Sequence, residues 1–226
     1  MNTERIKLKY RRNARFYDLL VRPLPLFERL RQKAVARLRP RPGETVVDLG
    51  CGTGLSFELL ERGVGPRGRI IGVEITAEML AKAREKVARH GWSNVSLIES
   101  TAEEVRLEPD SVDAVLCCLT NDIMHSKAAV ERAVRALRPG GRFVATGVKL
   151  AGGLRGRLLN PITRAYSVTA ITVPITPAPW AHLEGLLVSL QVTEELWGTA
   201  YIAHGVKPVA APEALQPSAM EVARGS

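Results

Sequence analysis

A chain of 226 residues is long enough for one well-buried α/β domain and short for two independent cores. It contains no run of about 18 consecutive apolar residues and opens on the polar, basic stretch MNTERIKLKYRRN, so neither a membrane span nor a secretory signal is expected. Cys51, Cys117 and Cys118 show neither disulfide nor metal-ligand spacing, which points to a reduced, cytoplasmic setting without a metal site. The net charge of +9 is local, because residues 1–40 hold twelve Lys or Arg against Glu4, Asp18 and Glu28, while residues 41–226 are neutral. Such a segment suits phosphates, an anionic membrane surface or an acidic substrate.

The first helices are expected over about residues 4–20 and 25–38, broken by Arg22-Pro23-Leu24-Pro25. In the second, Leu26, Leu30, Ala34 and Leu38 recur every fourth residue, with Arg29, Arg31, Lys33 and Arg37 mostly elsewhere. That amphipathic pattern predicts packing onto a domain. Pro40-Arg41-Pro42-Gly43 then punctuates the chain before the β-branched run Thr45 to Leu49, read as a buried strand.

Strand and helix alternate from there. A helix from about Leu55 to Arg62 leads to the strand Arg69–Glu74, and a second helix, with Thr76 as its expected N-cap, carries Met79, Leu80, Ala83 and Val87 on one face. Val95–Glu99 and Val112–Cys117 read as strands, a helix turns Val130, Val134 and Leu137 inward, and Pro139-Gly140-Gly141 turns into the strand Arg142–Thr146. The alternation predicts an α/β fold, doubly wound, with a mostly parallel sheet and helices on both faces.

After Leu150 the pattern weakens. Gly152, Gly153 and Gly156 open a stretch to Ala170 with weak helical character, and Pro174, Pro177 and Pro179 mark a loop before Trp180; the region reads as a variable insertion able to wall a substrate pocket. Val192–Leu196 and Ala200–Val206 form an expected antiparallel hairpin, and the Ala-, Pro- and Ser-rich tail from Ala210 is expected to be disordered. The organisation predicted is a basic N-terminal helical lid over residues 1–40, one domain over 41–208 and a tail over 209–226.

The chemistry concentrates at Val46-Val47-Asp48-Leu49-Gly50-Cys51-Gly52-Thr53-Gly54, an apolar strand running into a glycine-rich turn and a helix. Glycine there permits positive φ and close approach of a ligand to the backbone. A dinucleotide fingerprint needs a third glycine where Leu55 stands, and no GxxxxGK[ST] phosphate loop occurs.

The segment resembles motif I of the class I S-adenosylmethionine (SAM) dependent methyltransferases, and Leu137-Arg138-Pro139-Gly140-Gly141-Arg142-Phe143 is also typical of them, so the resemblance spans about residues 40–148. It implies a seven-stranded sheet and SAM as cofactor. Asp48 would position the glycine turn and the methionine end of SAM; Gly50, Cys51, Gly52 and Thr53 would lie against the cofactor. Glu74, 26 residues after Asp48, matches the acidic ribose clamp. Ile75 and Met79 would pack on adenine and ribose. Where the family often carries an adenine-binding Asp, this chain has Thr101, whose hydroxyl, with the Ala102 amide, would meet the base.

The acceptor end is expected after the fourth strand, at Leu119-Thr120-Asn121-Asp122-Ile123-Met124-His125, with Leu119 and Asn121 lining the pocket and His125 as the candidate general base. Tyr10 and Arg15-Phe16-Tyr17-Asp18 resemble the N-terminal segment of the subgroup containing ubiquinone and menaquinone C-methyltransferases and bacterial phospholipid N-methyltransferases, which implies contact of Tyr17 with SAM or substrate.

No [ND]PP[YFW] signature follows the fourth strand and no Pro precedes Cys117-Cys118, so a nucleic acid substrate is not expected. The apolar, Pro-rich stretch Val168 to Trp180 and the basic N-terminus favour a small or lipid-like acceptor at an anionic surface, with phospholipid N-methylation leading and a quinone next. The reading of another class is a noncatalytic SAM-binding protein that engages RNA or a partner through its basic arm.

Overall fold

The computed structural model describes residues 25–170 and 173–209, with the side chains of 166–170 left aside. The helix read at residues 4–20, Tyr17, and the tail from Ala210 lie outside the described residues.

In chain order the elements are α1 (Pro25–Leu38), β1 (Thr45–Leu49), α2 (Phe57–Val64), β2 (Arg69–Glu74), α3 (Ala77–His90), β3 (Val95–Glu99), β4 (Val112–Cys118), α4 (Asn121–Met124), α5 (Lys127–Ala136), β5 (Leu137–Val148), α6 (Gly153–Ala170), β6 (Val188–Glu195) and β7 (Ala200–Val206). They build one seven-stranded sheet in the order β3-β2-β1-β4-β5-β7-β6. The first five strands are parallel, and β7 runs antiparallel to both β5 and β6. This is the doubly wound sheet with a C-terminal hairpin that the alternation predicts.

Each face of the sheet buries its own core. Val47, Val73, Val115 and Phe143 pack under α5 and Leu183 on one side. Val46, Ile70, Leu116 and Val144 pack under α1, α2 and α3 on the other, where Leu30, Phe57 and Leu80 meet them. Burial on both faces explains why β1 and β4 read as largely apolar runs, each interrupted by one Asp, rather than as alternating ones.

Four details depart from expectation. Leu26 is exposed on α1, while Phe27 and Arg31 are buried beside Leu30, Ala34 and Leu38. At 3.6 residues per turn a strict four-residue spacing drifts round the helix, so positions 27 and 31 enter the packed face. Thr76 has N-cap backbone geometry without a side-chain cap bond. The strand expected from Arg142 starts at Leu137, because Leu137 already pairs with Val112 and the Pro-Gly-Gly turn is a bulge within β5. Gly140 N–H donates to Lys207 and Gly141 accepts from it, tying that bulge to the exit of β7. Finally, β6 spans Val188–Glu195 and leaves Leu196 to the following turn.

Candidate active site

β1, β2 and β4 end on the same edge of the sheet, and the chain leaving each wraps one cavity of about 320 Å³. That volume is in the range of small-molecule sites. Its walls come from the glycine turn (Leu49, Gly50, Gly52), the end of β2 and start of α3 (Glu74, Ile75, Met79), the segment after β3 (Ser100 to Glu104) and the segment after β4 (Cys118, Leu119, Thr120, Asp122, Ile123).

The glycine turn is built by packing. Gly50 has φ +79°, and a Cβ there would come within 2.5 Å of the Thr120 methyl and 2.9 Å of Ile123 Cδ1. Gly50 therefore lets the segment after β4 close against the turn. Gly52, at φ +55°, would place a Cβ in open space; its N–H donates to Glu74 Oε2 at 3.1 Å. The opposing segment is turned inward at Leu119, which takes the left-handed conformation (φ 61°) with its N–H bound to Thr146 O at 2.7 Å.

Asp48 lies beneath this turn, fully buried, and neither carboxylate oxygen has a hydrogen-bond partner within normal geometry among the described residues. Burial pushes it up to about 7; the Arg31 guanidinium and the neighbouring Ser56 hydroxyl pull it down, and Glu74 pushes it up. Arg31 and Ser56 offset only part of the cost of burying this carboxyl, so a further cation beside it would favour its charged form. Arg31, ion-paired with Glu28 on α1, is the charge that sequence periodicity assigned to the solvent face.

Glu74 stands on the cavity wall. Its Oε1 accepts from Thr76 N–H at 2.9 Å and its Oε2 from Gly52 N–H at 3.1 Å, with the Thr76 hydroxyl and the Ile75 N–H also directed at the carboxylate. Burial raises its pKa, and these backbone donors oppose the rise. Ser100 N–H donates to Glu74 O at 3.1 Å, so the exit of β3 is held beside Glu74. There Thr101 Oγ1 accepts from Glu104 N–H and donates to the Glu104 carboxylate, each at 3.1 Å. That exchange leaves the Thr101 oxygen one lone pair, and Glu103 and Glu104 add carboxylates to the same wall.

Gly50, Gly52, Glu74, Ile75, Met79, Thr101, Ala102 and Leu119 all line the cavity. Asp48, Cys51 and Thr53 sit buried behind it. Asn121 also falls outside the lining: its amide donates to Val148 O at 2.7 Å and accepts from Val148 N–H at 3.1 Å, clasping the end of β5. His125 is one residue beyond α4 and off the wall as well. Burial lowers its pKa, Asp122 opposes and His182 reinforces that, and the ring bonds the Pro174 carbonyl. Its Nε2 is buried without a partner among the described residues. Sequence reasoning passed over Asp122 and Glu104 as wall residues. A charged residue in the short helix four residues past the end of β4, and the Thr-x-x-Glu spacing of 101–104, were the available signals.

A family model described as a methyltransferase domain matches residues 40–166. The chain belongs to that family. The methyltransferase domain is 39% identical over 108 residues to an arsenite methyltransferase of Halobacterium salinarum, covering 47% of this chain and 28% of that protein. It is 34% identical over 113 residues to the ubiquinone/menaquinone biosynthesis C-methyltransferase of Methylococcus capsulatus, covering 49% and 46%. The chain thus spans less than half the length of either relative. Among solved structures, phosphoethanolamine N-methyltransferase 2 of Haemonchus contortus with SAM superposes at TM-score 0.64 and 18% identity, over 80% of this chain and 53% of that one. A SAM-dependent methyltransferase from Aquifex aeolicus does so at TM-score 0.58 and 18% identity, over 78% and 89%. At these identities the superpositions establish the fold. The methyltransferase domain takes SAM as its cofactor, and the residues fit it. The ammonium of the amino acid end would meet the buried Asp48 carboxyl, whose charge Arg31 and Ser56 only partly offset, and the ribose hydroxyls would donate to Glu74 on the wall.

Proposed function

We propose that this protein transfers a methyl group from SAM to a small or lipid-like acceptor, with the amine of a phosphatidylethanolamine-type headgroup as the preferred one. The observation that carries it is the pairing of a buried, incompletely compensated Asp48 with the wall carboxylate Glu74 across one glycine turn. SAM, when bound, supplies an electrophilic methyl on a sulfonium. The protein's part is to hold the two ends of the cofactor, to exclude water and to aim the acceptor along the carbon–sulfur axis.

Asp48 balances the cofactor ammonium, Glu74 accepts the ribose hydroxyls, and Ile75 and Met79 offer apolar surface to the base. Glu103 or Glu104 takes the exocyclic amine that Thr101 was expected to bind. On the acceptor side Asp122 lies on the wall, where a carboxylate attracts a protonated amine. His125 stands behind it, held neutral by burial and able to take the proton through Asp122 or a water. Tyr17, expected from the sequence to contact SAM or acceptor, lies outside the described residues.

An arsenite acceptor is less well supported. Soft arsenic calls for thiolates, whereas burial raises all three thiols and keeps them protonated. Among the described residues no group of three or more His, Cys, Asp or Glu is placed to hold a metal ion. A quinone remains the second acceptor class, because the wall after β4 mixes Leu119 and Ile123 with Asp122. No described helix is long and apolar enough to cross a membrane, so a lipid acceptor would be reached from the surface.

The test is incubation with methyl-labelled SAM and a panel of total lipid extract, quinone precursors and RNA, followed by fractionation. Label in the headgroup is the expected result. Label in a quinone moves the acceptor class, and tight SAM binding with no label in any fraction overturns the enzyme reading for a noncatalytic one.

A further inference from the structure

Helix α6 leaves the sheet at the carboxyl end of β5, the edge that also carries the cavity, since Asn121 after β4 clasps Val148 at the end of β5. Its inner side is anchored: Asn160 exchanges two hydrogen bonds with Ala151, and Gly156 and Thr163 are buried. Its outer side carries Leu154, Leu158 and Ile162, which are 73%, 70% and 69% exposed. No described residue covers them.

At about 100° per residue these three side chains fall within an arc of about 80°, bordered by Arg155 on one side and by Arg157 and Arg164 on the other. The three arginines are exposed, and the helix holds no Asp or Glu. Beside α6 lies the turn joining β6 to β7. Leu196 (φ 49°) and Trp197 (φ 56°) there both adopt the left-handed conformation, and Trp197 is held 69% exposed. Two consecutive L-residues in that conformation mark a turn shaped by more than its own preferences. Lys149 fixes it from behind through Gly198 O and Glu194.

We infer that Leu154, Leu158, Ile162 and Trp197 form a docking face for an anionic phospholipid bilayer, with α6 lying in the plane of the interface. An apolar stripe edged by arginines, with no acid on the helix, matches the charge of such a surface; arginine stems bury along the apolar layer while their guanidinium groups reach phosphates. Tryptophan prefers the headgroup depth. The basic N-terminal segment cannot supply the same face from its described part, because α1 turns Phe27, Leu30, Val35 and Leu38 into the core. The docking goes beyond the acceptor assignment: it turns the cavity edge of the sheet towards the bilayer for any membrane-borne acceptor.

Vesicle flotation of the full chain tests it without turnover, so it can fail while the acceptor reading stands, and the reverse. With vesicles of about one-third phosphatidylglycerol the protein should float, and with pure phosphatidylcholine binding should fall at least roughly tenfold. The double variant Leu158→Glu/Ile162→Glu should lose anionic-vesicle binding by roughly tenfold or more while keeping its SAM affinity, which reports an intact fold. Arg155→Gln/Arg157→Gln should weaken the dependence on phosphatidylglycerol, and anionic vesicles should blue-shift the emission that Trp197→Phe removes. Equal flotation of the double variant, or no flotation of the wild type, overturns the proposal. A dimer in sedimentation that Leu158→Glu/Ile162→Glu dissolves also overturns it, assigning the face to a second copy of the chain.

Discussion

Replacing Asp48 by Asn removes a buried charge and leaves the shape of the site. Asp48 sits at about 7 in the folded protein against a usual 3.8, so the fold holds its proton more tightly than the unfolded chain does. The stabilisation from that proton is complete below pH 3.8, is lost as pH rises to about 7, and changes no further above it. Three units at about 1.4 kcal/mol each put the loss near 4 kcal/mol. Asn stays neutral throughout, so at pH 8 the variant without cofactor should melt higher than the wild type by up to about 10 °C, and the gap should shrink towards pH 4. SAM should reverse the order of benefit. Its ammonium repays the wild-type charge, and losing that charged contact costs about 1.5–3 kcal/mol, or roughly 10- to 150-fold in affinity. Thermal unfolding from pH 4 to pH 8, with and without SAM, reads both effects. Equal melting temperatures at pH 8, a gap that ignores pH, or an equal shift on adding SAM would refute the reasoning.

Arg31→Met should push Asp48 further up, so the pH at which SAM affinity reaches half its plateau should move to higher values by calorimetry. Glu74→Gln keeps one acceptor oxygen and should weaken SAM by about tenfold, with adenosine alone losing a similar factor because the loss lies at the ribose. Asn121→Ala should cost about 2–5 kcal/mol of stability by leaving both polar groups of Val148 unpaired, yet change SAM affinity less than twofold or so in a calorimetric titration. Asp122→Asn should reduce kcat/KM for the acceptor by roughly tenfold or more while leaving the SAM dissociation constant in place; a reversed pattern would move Asp122 to the cofactor side.

The sheet was legible because its strands carry their own signal. β1, β2 and β4 are buried on both faces, and their ends matched expectation to within a residue. The glycine turn and the two acids 26 residues apart were legible for the same reason, being fixed by short-range geometry. What failed depends on the other side of a contact. Asn121 is polar and follows β4, which suits a pocket residue, but its partner is the Val148 backbone 27 residues away. Arg31 looked like solvent-facing charge until α1 laid it beside Asp48. Thr101 lines the cavity as expected, but its exchange with Glu104, which depends on how the chain turns after β3, was not read from the sequence. The α6 stripe went unnoticed because Gly152, Gly153, Gly156 and Pro161 mask a helical pattern whose outer face has no core to match.

The most direct test of the central claim is mass spectrometry of phosphatidylethanolamine vesicles incubated with the full chain and SAM bearing a deuterated methyl group, run beside Asp48→Ala. The account predicts headgroups carrying the labelled methyl with the wild type and little or none with the variant. Bound SAM with no labelled lipid, or label transfer that survives the loss of Asp48, would contradict it.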